Sequence, residues 1–267
     1  MTRQNTLYPH ARKRFGQNFL HDDAIIDSII AAISPEPNQH LVEIGPGRGA
    51  LTAPLLASGA RLDVIELDRD LAPLLAAQFK DADNLTLHNA DALQFNYLPL
   101  AADGEKLRVI GNLPYNITTP LLFHLLEQSA VIDDMCFMLQ KEVVERICAV
   151  PGSKQYGRLT IMLQYQCAAE ALFDVPPEAF EPPPKVNSAI IYLQPRTQPL
   201  GGKVDSVQLN KLVTQAFSQR RKTIANTLKK LVNPDQLMAV DVSPEQRPET
   251  VSIEQFVALA RLLSAQG

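Results

Sequence analysis

Isoleucines at positions 25, 26, 29, 30 and 33 fall on one stripe of a 3.6-residue period. Asp22 stands where an N-cap belongs, so residues 22–33 are predicted to form a helix. Beyond it, short apolar runs alternate with helix-period segments. "HLVEI" is followed by a glycine-rich turn and "LTAPLLASG", "RLDVIEL" precedes "RDLAPLLAAQF", and "NLTLHNAD" leads to a connector. "LRVIGN" then precedes "TTPLLFHLLEQ", and "MCFMLQ" precedes "KEVVERICAV". This alternation predicts parallel strands joined by crossover helices, the α/β class. Further on, "YGRLTIMLQYQC" reads as helix, while "AEALFDV" and "SAIIYLQP" read as closing strands with no helix between them. That predicts an antiparallel edge on a sheet of about seven strands. Pro195, Pro199, Gly201 and Gly202 mark a linker, and the pattern after it is helical to the end. The expected division is a sheet domain over residues 1–200 and a small helical domain over residues 205–267.

Three features fall at successive strand ends, where open α/β sheets bind ligands. "EIGPGRGALT" sets Gly45, Gly47 and Gly49 between a strand and a helix, allowing a tight turn and close backbone approach to a ligand. Glu66 ends the second strand, about twenty residues on, where a carboxylate meets ribose hydroxyls in such folds. Asp91 ends the third, in "NADAL", placed to accept from an adenine amino group. The run G-x-G-x-G is not the dinucleotide fingerprint, and by itself it is a weak signal. Taken together, the glycines and the two acids point to an adenosine compound.

The end of the next strand, "GNLPYNITTP", separates a nicotinamide cofactor from S-adenosylmethionine. Hydride transfer calls for a proton donor near a carbonyl, whereas this turn offers acceptors. The Asn112 side-chain oxygen accepts, and so do nearby main-chain carbonyls. Pro114 has no N–H and biases Leu113 toward an extended conformation that aims a carbonyl outward. Tyr115 adds a flat face. Acceptors beside a stacking ring suit the amino group of a flipped-out adenine. The expected donor is S-adenosyl-L-methionine, with no metal.

Composition changes this picture in three places. At 46% hydrophobic and 20% charged, the 267 residues suffice for one sizeable core and a small appendage. The three cysteines, Cys136, Cys148 and Cys167, are scattered without metal-ligand spacing and read as reduced thiols of a cytoplasmic protein. Neither a secretory leader nor a membrane span is expected from the apolar runs. The net charge of −4 conceals clusters: Arg12, Lys13 and Arg14 early, and Arg220, Arg221, Lys222, Lys229 and Lys230 late, with acids such as Asp63, Glu66, Asp68 and Asp70 between. Such patches bind a polyanion locally whatever the total.

The motifs "KRFGQNFL", "VEIGPGRGALT", "VIELDRDL", "NADAL", "GNLPYNITTPLLFHLL", "MLQKEVVERI", "FEPPPKVNSAII" and "FSQRRKTIANTL" span nearly the whole chain. The sequence resembles the ribosomal RNA adenine dimethyltransferases, in particular those of the bacterial small subunit. "GQNFL" with "NLPY" and the basic "QRRKTIANTL" is a specific combination.

The resemblance implies a seven-stranded, Rossmann-like class I methyltransferase sheet with a small C-terminal helical domain. It implies S-adenosylmethionine contacts at Asn18, Leu20, Gly45, Gly47, Glu66, Asp91 and Asn112. Asn18 and Leu20 would otherwise pass as ordinary loop residues. It implies that Phe180 lines the target-base pocket opposite Tyr115. The implied substrate is a pair of adjacent adenosines in the 3′-terminal hairpin loop of 16S rRNA, presented on a pre-formed small subunit to a monomeric enzyme. Phosphates are then expected to meet Arg12, Lys13, Arg14, Arg146, Lys185, Arg220, Arg221 and Lys222. Alternatives are a large-subunit adenine methyltransferase of the macrolide-resistance type, a DNA adenine methyltransferase, and a non-catalytic assembly factor. The closing motifs disfavour the first. The lack of a separate base-reading domain disfavours the second, and the intact cofactor motifs disfavour the third as an only role.

Overall fold

The structure is a computed structural model that describes residues 17–101, 104–219 and 221–264. A two-residue strand β1 (Phe19–Leu20) precedes helix α1 (Asp23–Ile33), whose N-cap Asp22 accepts from the N–H groups of Ala24 and Ile25 as the pattern predicts. Strands β2 (His40–Ile44), β3 (Arg61–Ile65) and β4 (Leu85–His88) then alternate with helices α2 (Thr52–Ala57) and α3 (Ala72–Gln78). Strand β5 (Leu107–Asn112), helix α4 (Thr118–Glu127), strand β6 (Ile132–Gln140) and helices α5 (Lys141–Ile147) and α6 (Arg158–Gln166) follow. Strands β7 (Cys167–Val175), β8 (Phe180–Glu181) and β9 (Ser188–Pro195) come next. The chain then runs through helices α7 (Ser206–Ala216), α8 (Ile224–Leu228), α9 (Pro234–Met238) and α10 (Ile253–Ser264).

Seven strands form one sheet in the order β4-β3-β2-β5-β6-β9-β7, and β1 pairs with β8 in a separate two-stranded ladder. Every residue of β2 is buried, as a strand covered on both faces requires. β2 pairs in parallel with both β3 and β5, so the winding reverses at β2 and opens a crevice at the strands' carboxyl ends. β9 runs antiparallel to β6, which is the antiparallel closure expected from two strands without an intervening helix.

Within this sheet Asp63 lies buried between two histidines, accepting from His40 Nε2 at 2.6 Å and His88 Nε2 at 2.5 Å. Burial works to raise its pKa, but the bonds from the histidines outweigh it and hold the carboxyl below its ordinary value. The stability this group contributes is therefore present at neutral pH and is lost as the pH falls from the ordinary carboxylate value through its depressed pKa.

The chain separates into two compact units: residues 1–141 with 171–193, and residues 142–170 with 194–267. The linker near residue 200 is thus not where the units divide. The reason is packing within the second unit, where α6 lies on α7 and α10. Tyr156 donates its hydroxyl to the Val251 carbonyl at 2.9 Å, and Val204 N–H donates to the Tyr165 hydroxyl at 3.0 Å. By sequence the second unit carries 13 Lys and Arg against 9 Asp and Glu, while the remainder carries 12 against 20. The charge imbalance seen along the chain is a property of these units.

Candidate active site

At the carboxyl ends of β2, β3 and β5, within the sheet unit, lies a cavity of about 300 Å³. Asn18, Leu20, Gly45, Gly47, Glu66, Asp91, Asn112, Leu113, Pro114, Tyr115 and Phe180 all line it. These positions span 163 residues of sequence, from Asn18 to Phe180, and only the winding reversal brings them together.

The glycine turn crosses above β2. Gly47 has φ +59°, and a Cβ there would come within 3.0 Å of the Phe19 ring. Its backbone conformation and the close approach of the N-terminal segment both demand glycine. A Cβ on Gly111 would lie 2.5 Å from the Ile44 carbonyl, so glycine is what lets β5 close against β2 beneath the cavity.

Glu66 is buried, and its Oε1 accepts from the Asp68 N–H at 2.7 Å. Burial is the main cause of its raised pKa, opposed by hydrogen bonds from the N–H groups of Asp68, Gly47 and Leu67. Those donors fix the carboxylate against the glycine turn. Asp91 accepts from the Leu93 N–H through Oδ1 at 3.0 Å and is half-buried at the rim.

A third acid in the cavity, Glu43, was not singled out by its sequence position, although a lone charge in the apolar run "HLVEI" is the available signal. It is buried on β2 and accepts from Thr52 Oγ1 at 2.6 Å. Burial pushes its pKa up to about 7, against the Thr52 bond and with help from nearby Glu66. Because the folded pKa lies above the unfolded value of 4.5, the ligand-free protein is stabilised below that value and loses this contribution as pH rises toward 7. The loss is on the order of 3 kcal/mol. Glu43→Gln keeps the acceptor for Thr52 and removes the charge. Denaturant titrations of the variant should show a flatter stability profile between pH 5 and about 7.5 than the parent. Parallel profiles would mean that Glu43 ionises in the folded protein as readily as in the unfolded chain.

The turn after β5 is held from three sides. Leu113 N–H donates to the Met138 carbonyl at 3.2 Å. The Pro114 carbonyl accepts from Ile117 N–H at 3.1 Å and from Thr118 Oγ1 at 3.1 Å. The Tyr115 hydroxyl lies 3.1 Å from Ser188 Oγ on β9, which anchors the tip of the ring, and Tyr115 lines the cavity. Asn112 Nδ2 donates to the Asn18 carbonyl at 3.2 Å. Phe180 is buried with Leu20 in the core cluster, so it both packs and lines.

Of the predicted phosphate contacts, Arg146, Lys185, Arg221 and Lys222 are exposed. Arg12, Lys13, Arg14 and Arg220 lie outside the described residues. Arg146, Arg221 and Lys222 belong to the helical unit, and Lys185 to the sheet unit. Among the described residues no helix is long and apolar enough to cross a membrane. Cys136 and Cys167 are free and buried, and burial pushes both thiols up to about 12, which leaves them unreactive.

Comparison with known proteins bears on this geometry. The chain is 56% identical over 259 residues to ribosomal RNA small subunit methyltransferase A of Pseudomonas aeruginosa, covering 97% of each sequence. Its structure is similar to that of a dimethyladenosine transferase from Plasmodium falciparum, with a TM-score of 0.80 at 26% identity over 93% of this chain and 98% of that one. It is also similar to the 23S rRNA methyltransferase ErmE, with a TM-score of 0.71 at 26% identity over 92% and 100% of the two chains. Residues 9–265 match the family described as ribosomal RNA adenine dimethylase. With the family matched over almost its whole length and the expected fold in place, the chain belongs to the ribosomal RNA adenine dimethylases.

Proposed function

We propose that this protein transfers methyl groups from S-adenosylmethionine to the exocyclic amino groups of two adjacent adenosines in the 3′-terminal hairpin loop of 16S rRNA, giving dimethyladenosines. The observation that carries this reading is that the Asn112–Tyr115 turn, with its acceptors and its ring, lines the same cavity as Glu66 and the glycine turn. The identity to a small-subunit methyltransferase supports 16S rather than 23S RNA as substrate.

S-adenosylmethionine supplies an electrophilic methyl group on a sulfonium. Asn18, Leu20, Gly45, Gly47, Glu66, Asp91 and Asn112 hold it, Glu66 accepting from the ribose and Asp91 from the adenine amino group. The target nitrogen is a poor nucleophile because its lone pair is delocalised into the ring. Asn112 Oδ1 and a main-chain carbonyl accept its two protons and favour a pyramidal nitrogen with the lone pair free. Since the Pro114 carbonyl already accepts two bonds, the Leu113 carbonyl is the second acceptor. Tyr115 and Phe180 flank the unstacked base, each stacking contact contributing roughly 1–3 kcal/mol. Holding the amine in line supplies roughly 7–11 kcal/mol of the acceleration. The methylated nitrogen is acidic and releases its proton to water, so no strong general base is needed. A monomethylated amine still has one proton to donate, and an uncharged clamp accepts it for the second transfer.

In this reading Arg12, Lys13, Arg14, Arg146, Lys185, Arg220, Arg221 and Lys222 position RNA phosphates, and a monomer acts in the cytoplasm on a pre-formed small subunit. Replacing Arg221 and Lys222 with Ala should weaken subunit binding and reduce the salt slope by roughly one per lost contact, with cofactor affinity unchanged. An unaltered slope would make the pair a solvated surface. The function itself is tested by offering methyl-labelled donor with small and large ribosomal subunits in separate reactions. Label is expected in the small-subunit RNA; label in the large-subunit RNA alone would replace this reading with the resistance-type activity.

A further inference from the structure

Residues 17–20 line the cavity and contact both the segment after β3 and the end of β5. Gln17 Nε2 donates to Asp68 Oδ2 at 3.1 Å. The Phe19 ring lies against Gly47, with the Arg48 guanidinium 4.3 Å above its centroid. Leu20 pairs with Phe180 in the β1–β8 ladder, and His21 N–H donates to the Ala179 carbonyl at 3.0 Å. Between these anchors the Asn18 carbonyl takes the amide of Asn112 at 3.2 Å.

That last contact decides a question of chemistry. The two ends of an amide side chain are nearly equal in shape, so the partner's hydrogen-bonding character determines which end faces it. A main-chain carbonyl only accepts, so it must face the –NH2 of Asn112. The oxygen is then left for the cavity. In the opposite rotamer the amide would repel Asn18 and present a donor to an amino group that needs acceptors. Asp68 ties this arrangement to the cofactor site. It is buried, its N–H donates to Glu66 Oε1 at 2.7 Å, and its Oδ1 accepts from the Asp70 N–H at 3.0 Å. Hydrogen bonds link Glu66 to Asp68, Asp68 to Gln17 and Asn18 to Asn112, and the peptide bond between Gln17 and Asn18 joins the two halves of the path.

We infer that residues 17–20 are a positioning strap that orients the Asn112 amide with its oxygen toward the target amine, and that Gln17 and Asp68 hold the strap in register. The inference rests on the acceptor-clamp reading of Asn112, and the test separates the two. Asn112→Asp is nearly isosteric, keeps an acceptor for the target and loses the donor to Asn18. If the strap orients the amide, single-turnover methyl transfer at saturating donor and RNA should fall about as far as in Asn112→Ala. Hydrogen exchange over residues 19–21 should also accelerate. An Asn112→Asp enzyme within about threefold of the parent, beside an inactive Asn112→Ala, would overturn the strap and leave the clamp standing. A near-normal Asn112→Ala would overturn the clamp and the strap with it. A second pair of variants acts at the anchor, away from the amide. Gln17→Ala should slow single-turnover transfer about tenfold at saturating donor, as loss of one hydrogen bond to a charged group does. Asp68→Asn should stay close to the parent, because an amide pair with Gln17 re-forms, while Asp68→Ala should match Gln17→Ala. Unchanged single-turnover rates in both alanine variants would overturn the positioning role.

Discussion

Asn112→Ala is expected to slow single-turnover methyl transfer by roughly a hundredfold or more, the scale seen when one preorganised polar group is removed from a reacting centre. RNA affinity should change little, because the phosphate contacts and the stacking faces of Tyr115 and Phe180 remain. An aromatic amine attacks only when its lone pair is released from the ring, and acceptors for its protons favour that geometry. Asn112 stands at the end of β5 with its nitrogen engaged by Asn18, leaving the oxygen for this task. Because the residue lines the same cavity as Glu66 and the glycine turn, donor affinity must be measured alongside and saturated in the assay. Near-normal single-turnover rates under those conditions would refute the acceptor clamp.

The second large effect is expected at Glu66, in the same cavity. Glu66→Ala should weaken S-adenosylmethionine binding about 10- to 100-fold, the worth of a buried hydrogen bond to a charged acceptor. The loss has two sources. A ribose hydroxyl loses its carboxylate, and the N–H groups of Asp68, Gly47 and Leu67 lose the acceptor that holds the glycine turn in shape. Glu66→Gln should lose less, since an amide oxygen still accepts. Calorimetry showing unchanged affinity in the alanine variant would remove Glu66 from the cofactor site.

The parts of this molecule that were legible in its sequence are those with local signals. The isoleucine stripe of α1, the Asp22 cap and the alternation of strands and helices follow from periodicity over a few turns. Three ligand-facing positions could be placed because strand ends in an open parallel sheet converge. The strap was not legible. Strands of two residues, β1 and β8, carry no period, and their pairing joins Leu20 to Phe180 across most of the chain. Asn18 and Leu20 entered through family resemblance alone, and the pairing of Gln17 with Asp68 had no signal. Glu43 looked like one charge in an apolar run, and its high pKa arises mainly from complete burial in the fold, with Glu66 adding to it. The division into compact units was hidden for a similar reason: Pro and Gly mark a linker, but Tyr156 and Tyr165 bind α6 and the segments beside it to the helical tail.

If the clamp presents acceptors and no charge to an adenine amino group, the transfer is expected to proceed to the dimethylated amine. Small subunits from cells lacking this protein, incubated to completion with methyl-labelled S-adenosylmethionine, provide the direct measurement. Digestion of their 16S rRNA to nucleosides should yield label in dimethyladenosine, and primer extension should stop at two neighbouring adenosines in the 3′-terminal hairpin loop. A stable monomethyl product, or stops elsewhere, would contradict the account.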